Sequence, residues 1–385
     1  MKVVFVSNYF NHHQKPFSDA MFALIGDGYH FIETIPMDEE RMKMGWGVEE
    51  KPAYVKENYR SEESAKICKS LIDEADVVMY GSAPYSMFVR RLRAGRLTFK
   101  YAERLYKKGC PYLKLPWHFY LNTKKYRRYS NLYLLCASAY TSGDFAKTFT
   151  FCNKAYKWGY FTETKHYDRV AEMIDAKQPA SILWVARMIG LKHPEQTVEI
   201  ASRLKKDGHS FKLSLIGNGE LEDSVKKQIQ DRELCDCVEL LGTMKPEQVR
   251  RHMENSEIFL FTSDRNEGWG AVLNESMNSA CAVIASHAIG SVPFLIKDGE
   301  NGCIYEDGNL DELYSKVRDL LDDSAKRKRL ARNAYQTIIG EWNSENAAKK
   351  LLHLFQELLS EKPSLFPYAD GVCSKAEILK DNWKR

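Results

Sequence analysis

The stretch IFLFTSDRNEGWGAVLNESMNSACAVIAS, residues 258–286, decides the fold. Ile258–Phe261 is an apolar run of strand length, residues 262–270 are polar with glycines at 268 and 270, a helically spaced segment follows, and Ala282–Ala285 is apolar again. Strand, loop, helix, strand is the βαβ unit of a parallel sheet. Glu267 falls in the loop and Glu275 about a turn and a half into the helix. Gly268 and Gly270, flanking Trp269, let a ligand approach the backbone at the helix start, where free N–H groups and the helix dipole favour a phosphate. A carboxylate accepts two hydroxyl hydrogen bonds, so Glu275 suits a ribose diol and Glu267 the hydroxyls of a sugar. On spacing alone the pair reads as solvated helix surface. The strand before it, the Gly-x-Gly loop, and the apolar Ala271, Val272 and Leu273 after it favour a site.

Working outward, the second half repeats the same alternation. Strands are expected at Ile182–Ala186, Lys212–Ile216, Val238–Leu241 and Cys303–Tyr305, with helical segments beginning near Pro194, Leu221, Pro246, Gly270 and Val292. This is a Rossmann-like domain. The first half gives a weaker version, with strands at Val3–Val6, Phe31–Ile35, Val77–Tyr80 and Leu132–Cys136. At 385 residues the chain exceeds the usual size of one core. The expected domains are residues 1–165 and 166–362, with a last helix around Ser374–Trp383, in the segment 363–385, rejoining the first.

Hydrophobic residues make up 44% and charged residues 28%, the composition of an ordinary globular protein and not of a disordered one. No apolar run reaches membrane-spanning length, and Val3–Val6 is too short for a signal core, so a cytoplasmic protein with reduced cysteines is expected. Cys235 and Cys237 lack zinc spacing. The net charge of +4 is uneven: residues 90–128 carry thirteen Lys or Arg and one acid, Glu103, which leaves −8 for the remainder (4 − 12). Aromatics from Phe99 to Tyr126 interleave these cations. The mixture suits an anionic surface, including the inner face of a membrane, or else solvated helix faces whose aromatics lie in the core.

Residues 258–286 resemble the signature of the retaining family 4 glycosyltransferases, two glutamates with seven residues between them. Other segments resemble that family in the same order. ILWVARMIGLKHPEQTVEIASRL, residues 182–204, resembles the family's first strand of the C-terminal domain with its basic pair, here Arg187 and Lys192, and LSLIGNGE, residues 213–220, its next strand and glycine turn at Gly217, Asn218 and Gly219. LLGTMKPEQV, residues 240–249, places Met244 where it can cover a base, and SHAIGSVPFLIKDGENG, residues 286–302, places Gly290 near the donor, with Ser291 where the family usually has a second glycine. The resemblance implies a GT-B fold, two Rossmann-like domains across a cleft. It also implies transfer, with retained configuration, from a nucleotide diphosphate sugar, UDP-linked as the leading expectation. Arg187 and Lys192 would clamp the diphosphate. Fixed cations stabilise a leaving group that gains negative charge whatever the family.

The first half is where such enzymes bind the acceptor, expected to be a glycan or lipid-linked hydroxyl in bacterial surface polysaccharide synthesis. In place of the family's glycine-rich first loop stands SNYFNHHQKP, residues 7–16, whose Asn11, His12 and His13 contact the acceptor or diphosphate, or are ordinary loop polar groups. Glu103 and Arg104 in TFKYAERLYKK, and His118 in LPWHFYLN, are further candidates. Adjacent histidines with no acid or cysteine at ligand spacing, and no Asp-x-Asp after any strand, point to a metal-independent site with no cofactor beyond the sugar donor. The alternatives are a GT-B sugar-nucleotide epimerase, a non-catalytic nucleotide-sugar binder, and a basic nucleic-acid-binding protein. The acidic remainder and the lack of a nucleic-acid module argue against the last.

Overall fold

The computed structural model describes residues 1–43, 47–48 and 50–384. The chain divides into two compact units, Met1–Glu163 with Asn343–Lys380, and Thr164–Trp342 with the chain from Asp381.

The first unit is built on a parallel sheet of seven strands: β1 Val3–Ser7, β2 Tyr29–Glu33, β3 Val55–Glu57, β4 Val77–Tyr80, β5 Thr98–Ala102, β6 Leu132–Cys136 and β7 Ala155–Lys157. Their order is β3-β2-β1-β4-β5-β6-β7, so the chain reverses direction across the sheet between β1 and β4. Both of those strands are buried along their whole length, as their unbroken apolar runs require of a sheet covered on two faces. Strands β3, β5 and β7 have no counterpart among the expected ones. β3 and β7 are three-residue edges, too short for a periodic signal.

Strand β5 lies inside the basic stretch and corrects the reading of that stretch as solvated throughout. Lys100 pairs in register with Tyr80 and Leu134, and its ammonium lies 5.1 Å from the Tyr80 ring centroid and 5.7 Å from that of Tyr126. Arg91 is buried, donating to the carbonyls of Ile72, Ala75, Asp76 and Leu97 at 2.5–3.1 Å. It thereby satisfies the orphan carbonyls at the end of helix Glu62–Glu74. Arg104 is buried 3.6 Å from Asp144, with its guanidinium over the Tyr140 ring. Arg91 and Arg104 hold the fold, and none of the three cations is available to a surface partner.

The second unit has six parallel strands: β8 Gln178–Val185, β9 Lys212–Ile216, β10 Val238–Leu240, β11 Ser256–Phe261, β12 Ala282–Ser286 and β13 Cys303–Tyr305. The order is β10-β9-β8-β11-β12-β13, with the reversal between β8 and β11. Its core packs Trp184, Leu213, Leu215, Ile258, Leu260 and Ile284 against helices Pro194–Lys206 and Leu310–Asp322. The two parallel-sheet α/β domains of the GT-B class are both present.

The return to the first unit comes at Trp342–Asn343 and not near residue 363. Helix Ser344–Leu359 packs there, its Phe355 ring 5.1 Å from Phe99. The helix expected around Ser374–Trp383 does not form. Lys157 N donates to Ser374 O at 2.8 Å and Ala376 N to Ala155 O at 2.9 Å, so this segment runs extended along β7 and covers the sheet edge. Among the described residues no helix is long and apolar enough to cross a membrane.

Candidate functional site

In open parallel sheets ligands gather beyond the carboxyl ends of the strands, where the strand order reverses. In the second unit that point lies between β8 and β11. The loop after β8 carries Arg187 and Lys192, and the loop after β11 carries Glu267. The Lys192 ammonium and the Glu267 carboxylate form an ion pair there, with side chains 15% and 13% exposed. Several contacts fix this pair. Gly270 has φ +82°, and a Cβ at that position would come within 2.4 Å of the Phe261 ring, so only glycine lets the Glu267 loop lie on Phe261. Lys192 stands over the same ring, 5.8 Å from its centroid. Trp184 Nε1 donates to Thr262 Oγ1 at 2.9 Å, and the Thr262 hydroxyl donates to the Lys192 carbonyl at 2.7 Å, tying β8, β11 and the cationic loop together.

The glycine turn after β9 threads beside Arg187. A Cβ on Gly217 would sit 1.9 Å from Ala186 O and one on Gly219 2.5 Å from Met188 O, while Asn218 O accepts from Met188 N at 2.7 Å. Arg187 itself is exposed and forms no ion pair among the described residues. Glu275 is half-buried on helix Val272–Asn278, whose seven residues give only a short dipole, so the cations outweigh the helix end as an anion anchor. Ala271, Val272 and Met244 are half-buried, and Gly268, Leu273 and Gly290 are buried. The Trp269 side chain is wholly buried against Trp342 and Phe294, with Nε1 donating to Asn274 Oδ1 at 2.8 Å. It braces the loop from behind and offers a ligand its backbone alone. The hydroxyls of Ser263 and Ser291 and the Asn274 amide nitrogen are buried with no hydrogen-bond partner among the described residues.

In the first unit the reversal lies between β1 and β4, and His12 and His13 follow β1. Their rings are 3.8 Å apart, and burial together with His12 pushes the His13 imidazole down to about 3, so it is neutral at ordinary pH. The Asn11 side chain accepts from the backbone of His13 and Gln14, an Asx turn that starts helix Lys15–Ile25. His13 stacks on Tyr160, whose hydroxyl donates to Glu103 at 2.7 Å, and Glu103 pairs with Lys107 at 2.6 Å. Tyr160, which the sequence does not single out, thus joins His13 to Glu103. Arg104 and His118 line a different feature, a pocket of about 560 Å3, and His118 Nδ1 lies 3.0 Å from the Tyr106 hydroxyl. Among the described residues no group of three or more His, Cys, Asp or Glu side chains is placed to hold a metal ion.

Residues 168–337 match the family described as glycosyl transferases group 1. The match falls within the second unit, which resembles that family over nearly its whole length. Curated relatives include the amylovoran biosynthesis glycosyltransferase AmsK of Erwinia amylovora, 30% identical over 47% of this chain and 46% of that protein. Another is the poly(ribitol-phosphate) alpha-N-acetylglucosaminyltransferase of Staphylococcus aureus strain COL, 27% identical over 44% of this chain and 34% of that one. The chain thus spans less than half the length of these relatives. Among solved structures, Anabaena Alr3699/HepE in complex with UDP matches 92% of this chain and 100% of that one, with a TM-score of 0.67 and 14% identity, a likeness of fold.

The second unit also brings to these loops residues that no motif marks. Asp264 N donates to Leu191 O at 3.0 Å, and the Asp264 carboxylate accepts from Asn266 N at 2.7 Å. His193, at φ +49°, lies 2.7 Å from Glu195 and 3.4 Å from Asp264; the hydrogen bond to Glu195 raises its pKa despite partial burial. Aspartate in a strand-to-helix loop and a histidine before a proline-initiated helix are weak signals, readable only once β8 and β11 are known to be neighbours.

Proposed function

We propose that the chain is a retaining glycosyltransferase that moves a sugar from a UDP-sugar to a hydroxyl of a glycan or lipid-linked acceptor in bacterial surface polysaccharide synthesis. The observation that carries the reading is the pairing of Lys192 with Glu267 where β8 and β11 diverge, beside Arg187 and the Gly217–Gly219 turn. A diphosphate at this end of the sheet meets two cations and a close backbone, Glu275 takes the ribose diol, and Glu267 takes the transferred sugar. The charge that develops on the leaving phosphate is stabilised by Arg187 and Lys192 without a metal. The acceptor hydroxyl attacks from the face the diphosphate leaves, and a departing phosphate oxygen takes its proton, so no protein base is assigned.

The relatives support the acceptor and the stereochemistry. Amylovoran biosynthesis, poly(ribitol-phosphate) and a diphospho-undecaprenol are the words in their names, and several carry an alpha-linked product, as retention gives from an alpha-linked donor. UDP occupies the HepE structure that shares the fold.

Calorimetry of UDP and GDP against the wild-type protein and Glu275→Ala tests the donor assignment. UDP should bind, and the variant should lose about tenfold or more in affinity, the loss expected for charged hydrogen bonds to a diol. GDP binding in place of UDP would redirect the donor. Binding of neither would remove the reading, and conversion of the donor sugar to its epimer without added acceptor would favour an epimerase.

A further inference from the structure

Between β5 and β6 the chain leaves the first unit's sheet for residues 103–131, and six of the sixteen exposed large apolar side chains among the described residues lie there. Leu113 is 99% exposed, Tyr112 72% and Trp117 60%, with Tyr120, Leu105 and Phe119 behind them. Helix Leu115–Asn122, LPWHFYLN, is apolar yet buries none of its side chains. Short helices in water depend on an apolar face packed against something, and this one meets the protein through His118 on Tyr106 and the edge of Phe119 on Phe149, while Trp117 and Tyr120 face outward.

Cations surround the apolar side chains. Lys124 lies over the Tyr120 ring and Arg127 over that of Phe119, at 4.3 and 5.4 Å from the centroids. Lys108, Lys114 and Lys125 have no carboxylate within ion-pair distance among the described residues, and Glu103, the only acid from 90 to 128, already pairs with Lys107. Beside the helix lies the pocket of about 560 Å3, whose lining has no carboxylate among the described residues and in which Lys108 is the cation not already held by an acid, Arg104 being paired with Asp144 and Lys107 with Glu103.

We propose that residues 105–128 seat the first unit on an anionic phospholipid bilayer. Leu113, Tyr112 and Trp117 enter the interfacial layer, Lys108, Lys114 and Lys125 meet headgroup phosphates, and the pocket receives one headgroup. Charge of one sign around Trp, Tyr and Leu is the complement of a negatively charged interface, where amphipathic aromatics anchor and lysine amines stay solvated. A protein partner fits less well, because lysine is depleted in protein interfaces. Single-stranded nucleic acid fits less well too, because Trp117 and Tyr120 each turn one face to the other, at 5.5 Å and 25°, and Lys124 lies over the Tyr120 ring, which leaves less ring surface for bases to stack on. The proposal deepens the reading of a lipid-linked acceptor, on which its purpose rests, because docking would bring the enzyme to that acceptor.

The test is sedimentation of the full chain with phosphatidylcholine vesicles, alone or with about a third phosphatidylglycerol. Binding should need the anionic lipid and weaken with salt. The variant Leu113→Ser with Trp117→Ser should bind about tenfold more weakly or worse, since two interfacial anchors are gone, with its melting temperature unchanged. Lys108→Ala with Lys114→Ala should lower affinity for anionic vesicles and reduce the salt dependence. UDP affinity, measured on the same preparations, should not move, so a failure of docking is separable from a failure of the donor reading. Four results would overturn the proposal: no binding to anionic vesicles, equal binding by the apolar variant, binding that requires a polyprenyl phosphate and ignores phosphatidylglycerol, or a concentration-dependent dimer or an RNA complex that those apolar substitutions abolish.

Discussion

Lys192 and Glu267 hold each other: the cation assigned to the leaving diphosphate is neutralised by the acid assigned to the transferred sugar. Both side chains are largely buried, so their attraction is less screened than that of a surface pair, and removing one leaves the other exposed to any bound charge. Each therefore sets the other's strength as a ligand group.

Removing the acid should separate binding from turnover. In Glu267→Gln the Lys192 charge is no longer neutralised, so UDP should bind as tightly as in the wild type or several-fold tighter, while turnover falls about a hundredfold or more. Lys192→Ala should lose both. Calorimetry and steady-state kinetics on the two variants check this, and a Glu267→Gln protein that binds UDP more weakly would contradict the pairing.

Thr262 should act as a positioning residue. Its hydroxyl accepts from Trp184 and donates to the Lys192 carbonyl, and it is wholly buried. Thr262→Val keeps the shape but leaves the buried indole N–H without its acceptor, at a cost of about 1–3 kcal/mol in stability. The larger interest is kinetic. If Thr262 works through Lys192, its substitution should slow turnover in the wild type and add little in a Lys192→Ala background, a coupling that a double-mutant cycle reads directly. Equal slowing in both backgrounds would assign Thr262 to the scaffold alone.

Much of this second unit was legible in the sequence because each element announces itself: apolar runs of strand length, Pro194 and Pro246 at helix starts, and glycines at 217, 219 and 270 whose backbone positions exclude a Cβ. The side chain of Trp269 was not legible, since spacing places it in the loop and only packing shows it turned inward on Trp342. In the first unit β5 was hidden by composition. Lys100 and its basic neighbours read as surface, yet cross-strand pairing with β4 and β6 draws Lys100 inside, an outcome that no local propensity records. The segment from Ser374 failed for the same reason, because a vacant edge on β7 outcompetes a helix with few tertiary partners.

Lys100 gives the last prediction. Burial, with a smaller push from Lys125, lowers its pKa from 10.5 to about 8, so the folded chain holds this proton less tightly than the unfolded chain does. Where the unfolded state binds more protons, stability rises with pH. Lys100 should therefore carry its full penalty below about pH 8 and lose it progressively up to about pH 10.5. The difference of about 2.5 pKa units corresponds to ~3 kcal/mol, from which the attraction to Tyr80 and Tyr126 subtracts ~1 kcal/mol. Lys100→Met should accordingly stabilise the protein by ~2 kcal/mol at pH 7. Its advantage over the wild type should shrink between pH 8 and pH 10, as followed by urea unfolding. A variant no more stable than the wild type at pH 7, or one whose advantage is the same at both ends of that range, would mean that Lys100 is charged and well solvated in the folded chain.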